Sequence, residues 1–271
     1  MHHMSDILQR KQHPFYRQEL KELLRQLGLE RGDTVMLHAS LKAFGYLIGG
    51  AETIIEALLS TLGPEGTLVM PSQTVGHSNP RFWQYPPVPR EWHEKICDSI
   101  LPYDPERTPV DQELGQTAVY FSRFPNVRRS AHPLYSFCAY GAGAEQIVRD
   151  HPLDYGLGPK SPLQKLYERD AKILLLGTTF ETNTSLHLAE YFANRPDIEE
   201  SAPILVDGEK QWVSFKNIDL DIFDDFLEVQ RKFFTEYAAN IRREPLPNGE
   251  ASCFRMRDCV ELAKRHYQHK G

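Results

Sequence analysis

Several features that would place a protein at sight are missing from these 271 residues. Only four cysteines occur, Cys97, Cys138, Cys253 and Cys259, and none falls in a C-x-x-C spacing. That pattern indicates neither a disulfide framework nor a zinc knuckle, and it fits a reducing compartment. No apolar run approaches the roughly 18–20 residues of a membrane-spanning helix, so no membrane partner is expected. Neither G-x-G-x-x-G nor a Walker sequence is present, which removes those two routes to nucleotides. Positive charge is not in excess: 31 Lys and Arg against 37 Asp and Glu leave a net charge of −6. A nucleic-acid partner is therefore disfavoured, and a cationic small molecule is compatible. The opening Met1-His2-His3-Met4 carries no apolar h-region of a secretion signal, and a cytoplasmic location is expected. Internal repeats and low-complexity linkers are also missing. A single domain over residues 1–271 is the expectation, large enough to bury a substantial core.

What is present is regular. Leu20, Leu23, Leu24 and Leu27 form a stripe that predicts a helix over 14–27, stopped by Gly28. A β-rich run over 34–40 is followed by Gly45, Gly49 and Gly50, a helix over 51–62 and a second strand over 67–70. This is a βαβ-like unit, and such sheets bind ligands at the carboxyl ends of their strands. Gly49 and Gly50 precede a helix, where free N–H groups suit a phosphate, although a glycine pair there also serves as a plain tight turn. Further on, 136–139 reads as strand, 141–150 as a short helix, and Ser161-Pro162 as an N-cap with a proline after it. A buried strand follows over 173–176. A hairpin around Asp207-Gly208 joins 204–206 to 212–214, and helices over 223–237 and 258–268 complete the chain.

Residues 73–115 read as a long irregular region broken by seven prolines, among them Pro80, Pro89 and Pro105. Phe82, Trp83, Tyr85, Trp92 and Tyr103 make it sticky, and Asp104, Glu106, Asp111 and Glu113 make it acidic. An aromatic and acidic wall suits a polyamine or aminosugar; a solvated insertion is the plainer alternative. The stretch 177–190 is where chemistry is expected. It leaves the buried strand through a Thr/Asn-rich turn and enters a helix with His187 and Glu190 one turn apart, on the same face. A histidine oriented by a carboxylate at a strand's carboxyl end is a candidate general base, though such pairs also occur as ordinary surface contacts.

Four blocks, taken together and in order, resemble the aminoglycoside 3-N-acetyltransferase family. They are His38-Ala39-Ser40-Leu41 with Gly45 and Gly49-Gly50-Ala51; Leu62-Gly63-Pro64-Glu65-Gly66-Thr67-Leu68 through Pro71-Ser72-Gln73-Thr74; Arg129-Ser130-Ala131-His132-Pro133 with Ser136; and Asn183-Thr184-Ser185-Leu186-His187-Leu188-Ala189-Glu190. The likeness covers residues 15 to 195 strongly and the tail weakly. It implies a three-layer α/β/α fold with a central mixed sheet and a long irregular insertion over the active site. It implies direct acetyl transfer from acetyl-CoA to an amine, with no metal, the acceptor being the 3-amino group of a 2-deoxystreptamine aminoglycoside.

The resemblance assigns His187 as general base, Glu190 as the group that orients it, and Thr74 to the wall facing the reacting centre. It places His38, Ala39, Ser40, Leu41, Ile48, Gly49 and Gly50 along the acetyl-CoA path, and Arg129, Ser130, Ser136 and Phe137 near its thioester end. Tyr103, Asp104 and Glu106 are the implied acceptor contacts. Backbone N–H groups around Ser136-Phe137 or Thr74 are candidates for the oxyanion. The run 121–128 departs from the family's wording, and Arg123 and Arg128 in it would suit an anionic acceptor, so a different amine in a biosynthetic step is the main alternative. Three further readings stay open: an acyl-enzyme on Cys138, a metal-dependent hydrolase using His38, His132, His187 and Glu190, and a CoA-binding protein without turnover. A homodimer is compatible with the sequence.

Overall fold

The computed structural model describes residues 13–84, 86–220 and 225–269. Tyr85, Phe223 and the opening Met1-His2-His3-Met4 lie outside them. The leucine stripe seats α1 (Arg17–Gln26) on the core through Leu20, Leu23 and Leu24. This helix begins at Arg17 rather than Pro14 because Tyr16 is extended and its N–H donates to the Glu19 carboxylate at 2.7 Å, closing the first turn. Then come β1 (Thr34–Ala39), α2 (Gly50–Leu62) and β2 (Thr67–Pro71), with β1 and β2 parallel as in a βαβ unit. Residues 73–115 are more ordered than their prolines suggest. They hold short 3-10 turns, two of them entered at Pro80 and Pro89, and one helix, α3 (His93–Ser99).

The chain continues with α4 (Gln116–Ser122), β3 (Arg128–Arg129) and β4 (Phe137–Gly141). Because β4 runs on to Gly141, the helix after it is only α5 (Ala144–Val148). Ser161 caps α6 (Pro162–Glu168), which leads into β5 (Lys172–Leu176) and α7 (Leu186–Glu190). The hairpin at Asp207-Gly208 is far longer than expected, with β6 (Asp197–Val206) paired to β7 (Glu209–Ile218) along its whole length. Helix α8 (Phe226–Glu236) is followed by a hairpin that the apolar pattern did not reveal, β8 (Arg242–Leu246) and β9 (Gly249–Arg255), and by α9 (Met256–Gln268).

Seven strands form one mixed sheet in the order β3-β4-β2-β1-β5-β9-β8. The parallel trio β2, β1 and β5 lies at its centre, with antiparallel neighbours on both sides. Side chains alternate between two cores. Val35, Leu37, Leu174 and Leu176 face α1, α2 and α4, while Met36, Ile173 and Leu175 face α5, α6, α7 and the last two helices. Each fully buried Leu or Ile contributes about 1.5–3 kcal/mol of transfer free energy, so period-two burial in the strands settles the three-layer α/β/α arrangement.

The topology also positions a crevice. From β1 the chain crosses to α2 on one face; from the adjacent β5 it crosses to α7 on the other. Adjacent parallel strands whose exits part in this way leave a cleft at their carboxyl ends.

Candidate active site

The cleft is there, with a volume of about 950 Å³, within the usual range for small-molecule sites. Its floor comes from β1 and β2, through His38, Ala39, Met70 and Pro71. One side is the exit of β5, through Gly177, Thr178 and Thr179, together with His187 and Phe226; the other is the segment 111–116. Gly177 makes that exit geometrically possible. It has φ +71°, and a Cβ there would overlap the Ala43 methyl group.

His187 and Glu190 meet as their spacing predicts. The His187 Nδ1 lies 2.7 Å from Glu190 Oε2, and the carboxylate is wholly buried while the ring keeps some exposure. A carboxylate only accepts, so Nδ1 carries a proton, and in the neutral ring Nε2 then holds the lone pair. The edge of the ring packs on Phe226 at 5.2 Å between centroids. The other carboxylate oxygen accepts from Arg195 Nη2 at 2.8 Å, and Arg195 Nη1 donates to the Asp219 carbonyl at 2.8 Å. Arg195 was not singled out from the sequence. It lies five residues past Glu190, beyond the end of α7, where helical periodicity has nothing to say. Upstream, Asn183 holds the turn into α7 by accepting from the Ser185 hydroxyl at 2.6 Å.

His38 and Thr178 also reach the cleft. Among the described residues, the buried His38 Nε2 and Thr178 Oγ1 have no hydrogen-bond partner. Burial pushes the His38 imidazole down to about 3, so the ring is neutral at cellular pH. Ala39, Ser40 and Leu41 line the same cleft, and Asp111, Glu113 and Glu181 supply its carboxylates. Burial pushes the Asp111 carboxyl up, opposed by the Val75 N–H that donates to it at 2.8 Å.

Other expected residues stand elsewhere. Thr74 is fully buried and does not line the cleft; its hydroxyl donates to the Pro133 carbonyl at 2.5 Å and its N–H to the Leu134 carbonyl at 2.9 Å. Arg129 donates to Ser136 Oγ at 3.0 Å, to the Ser72 carbonyl at 2.6 Å and to the Thr108 carbonyl, tying three segments together behind the cleft. Ser130 Oγ accepts from the Phe137 N–H at 2.9 Å, and Tyr103, itself buried, donates its hydroxyl to the Ser130 carbonyl at 2.8 Å. The N–H groups of Thr74 and Phe137 are thus already used, and neither is open to an oxyanion. Asp104 turns inward on its own loop, accepting from the Glu106 N–H at 2.8 Å, and neither carboxylate lines the cleft. Nor do Phe82, Trp83 or Trp92. Among the described residues of 73–115 no aromatic lines the cleft, and its two ends, around Gln73 and Asp111, are the parts that reach the site.

Ile48, Gly49 and Gly50 form the turn into α2. Gly49 is left-handed at φ +79°, and Thr53 Oγ1 donates to the Ile48 carbonyl at 2.7 Å. Beside this turn runs a shallower groove of about 440 Å³, lined by Ala51, Tyr120 and Arg123 and sharing Leu41 and Gln116 with the cleft.

Two of the open chemistries lose their geometry. Cys138 is buried in the core on β4, and burial pushes its thiol up, away from thiolate character. His132 is held by structure, its Nδ1 accepting from the Leu134 and Tyr135 N–H groups at 3.1 and 3.0 Å. Among the described residues the sole grouping with metal-ligand spacing is Asp225, Glu228 and His266, not the alternative set of His38, His132, His187 and Glu190. The Lys232 ammonium already sits there, 3.0 Å from Glu228 and 2.9 Å from His266.

Comparison with known proteins identifies the family. A family model described as Aminoglycoside 3-N-acetyltransferase matches residues 36–268. The aminoglycoside N(3')-acetyltransferase-like protein YokD of Bacillus subtilis is 39% identical over 267 residues, 97% of this chain and 96% of that protein. Its crystal structure superposes with a TM-score of 0.88 at 37% identity, covering 95% of both chains. The structure of AAC-IIIb in a binary complex with CoASH matches with a TM-score of 0.84 at 29% identity, covering 95% of this chain and 98% of that one. That of AAC-VIa bound to sisomicin matches at 0.82 and 26%, covering 95% and 99%. With sequence, fold and family model concurring over nearly its whole length, the chain belongs to the aminoglycoside 3-N-acetyltransferase family.

Proposed function

We propose that this protein moves an acetyl group from acetyl-CoA directly to an amine of an aminoglycoside, the 3-amino group of 2-deoxystreptamine, in the cytoplasm and as a single domain. The observation that carries the mechanism is the chain Arg195–Glu190–His187, which ends on an imidazole at the cleft. Arg195 fixes the buried Glu190, Glu190 fixes the His187 tautomer, and His187 Nε2 accepts a proton from the amine as its nitrogen attacks the thioester carbonyl. The new C–N bond forms, charge gathers on the carbonyl oxygen, and its collapse breaks the C–S bond. His187 then returns its proton to the leaving sulfur, so amide and free thiol are the products.

The remaining lining fits both substrates. Asp111, Glu113 and Glu181 offer carboxylates to a polyammonium acceptor, a role expected of Asp104 and Glu106 that their own positions do not favour. Ser40 and Leu41 lead from the cleft to the groove of Ala51 and Arg123, where a guanidinium suits the phosphates of the CoA arm. The CoASH complex of AAC-IIIb and the sisomicin complex of AAC-VIa support the same pair of substrates for this relative.

Thiol-release kinetics with acetyl-CoA against 2-deoxystreptamine aminoglycosides and unrelated amines is the test. Release that depends on the aminoglycoside supports the reading. Release only with other amines moves the acceptor to a biosynthetic amine, and none with any amine leaves a CoA-binding protein without turnover.

A further inference from the structure

We propose that His38 and Thr178 form a donor pair that binds the thioester carbonyl oxygen and the negative charge developing on it during transfer. The inference rests on the acetyl-transfer reading and adds to it the groups that stabilise the oxyanion.

The fold leaves two polar atoms of the cleft residues unmatched. Buried donors and acceptors in native proteins are nearly always paired, because burying one without a partner costs stability and gives nothing back. His38 Nε2 and Thr178 Oγ1 break that rule among the described residues, and both belong to side chains of one cleft. Their positions are linked by the sheet. His38 on β1 is in register with Leu175 on β5, and the Ser40 N–H donates to the Leu176 carbonyl at 2.9 Å, so Thr178 emerges beside the end of β1. His38 follows Leu37 on the strand and therefore points to the face of Met36, the face on which α7 and His187 are packed. The base and the two residues with unmatched atoms thus line the same cleft.

The chemistry of the pair suits a carbonyl oxygen rather than an ammonium. A hydroxyl donates readily. The imidazole, neutral because burial opposes its charged form, donates from Nε2 in the Nε2–H tautomer without giving up its proton. Donors fixed in advance around a developing oxyanion are among the largest single contributions to acyl transfer. Of the backbone N–H groups otherwise expected there, around Ser136-Phe137 or Thr74, those of Thr74 and Phe137 are spent inside the fold.

The test uses His38→Leu, His38→Gln, His38→Asn and Thr178→Val in the full chain. His38→Leu and Thr178→Val are expected to lower kcat by about 10²–10³-fold each, the usual loss for one oxyanion donor, with the KM for acetyl-CoA little changed. His38→Gln, whose amide nitrogen falls where Nε2 was, recovers part of the loss; His38→Asn, whose nitrogen falls near Nδ1, does not. Removing an unmatched buried polar atom relieves the fold, so Tm rises or holds in His38→Leu and Thr178→Val while turnover falls. A clear fall in Tm with proportionate loss of activity would mean a packing role and overturn the pair.

A second readout needs no turnover. The infrared carbonyl stretch of isotopically labelled acetyl-CoA moves to lower frequency on binding wild-type protein and recovers in both variants. An unshifted stretch in bound wild type, or a shift that survives both substitutions, overturns the inference. Wild type that binds acetyl-CoA with a shifted stretch but releases no thiol refutes the transfer reading and keeps the donor pair.

Discussion

The two halves of the family blocks, the cleft mouth and the block behind it, differ in how their polar atoms are matched. Behind the cleft, Arg129 satisfies Ser136 and two carbonyls, Ser130 satisfies Phe137, Tyr103 satisfies Ser130, and His132 and His151 are bonded at both ring nitrogens. At the mouth, His38 and Thr178 hold buried polar atoms with no partner among the described residues, and His187 is engaged at Nδ1 alone. The polar groups of the rear block are spent on joining β3, β4 and the segments ending at Ser72 and Thr108. The unmatched atoms of the mouth join nothing among the described residues, and the proposed donor pair rests on that difference.

This contrast predicts opposite phenotypes for substitutions on its two sides. The largest effect is expected for His187→Ala, which should lower kcat by about two to four orders of magnitude while acetyl-CoA still binds; near-normal turnover would remove His187 from the chemistry. Arg195→Met lies at the seam, because it strands the wholly buried Glu190 carboxylate. It should cost roughly 3–5 kcal/mol of stability and disturb the His187 ring as well, seen as a fall in Tm together with kcat. Arg129→Met, on the scaffold side, should lose on the order of 3 kcal/mol yet leave kcat per folded molecule nearly unchanged. A kcat collapse without a stability loss would put Arg129 in the site after all.

Acid sharpens the comparison further. Burial pushes His132 down to about 4 and His151 well below its ordinary value, so in the folded protein both resist protonation. The unfolded chain takes up protons below about 6.5 that the folded rear block refuses. The stability these rings contribute is complete above that pH and drains away as pH falls towards 4, at up to about 1.4 kcal/mol per unit for each ring. Urea midpoints across pH 7 to 4 should fall in wild type and fall less in His132→Gln; parallel slopes would show that the rings are not the cause. The smallest effect belongs to Tyr103→Phe, which deletes one buried hydroxyl bond worth about 1 kcal/mol and should leave acceptor KM unchanged. A large rise in that KM would restore Tyr103 to the acceptor contacts.

Much of this could be read from the chain, for reasons that differ by residue. The β1–α2–β2 unit shows in the apolar periodicity because its side chains are buried by period two and then by period 3.6. The His187–Glu190 pair shows because three residues is a helical turn. Arg195 does not show, since its approach to Glu190 depends on how the chain folds back after α7. The β8–β9 hairpin escapes because the edge strand opens on Arg242-Arg243-Glu244, two exposed arginines and a half-buried glutamate, with no apolar alternation. Arg129, Ser130, Ser136 and Tyr103 were expected at the ligand for a different reason. Nothing in a motif tells which of its polar groups the fold will use up.

Ala43, in the loop after β1, touches two of these parts at once. Its carbonyl accepts from the Asn248 N–H at 2.8 Å, and its methyl group occupies the space in which any side chain at position 177 would have to fit. The loop after β1 and the exit of β5 therefore mesh like gear teeth, and a larger residue at either tooth would shift Thr178 along with it. The segment 111–116 across the opening is under no such constraint: its Gln112 and Glu113 side chains are exposed and can be exchanged without disturbing the seam opposite.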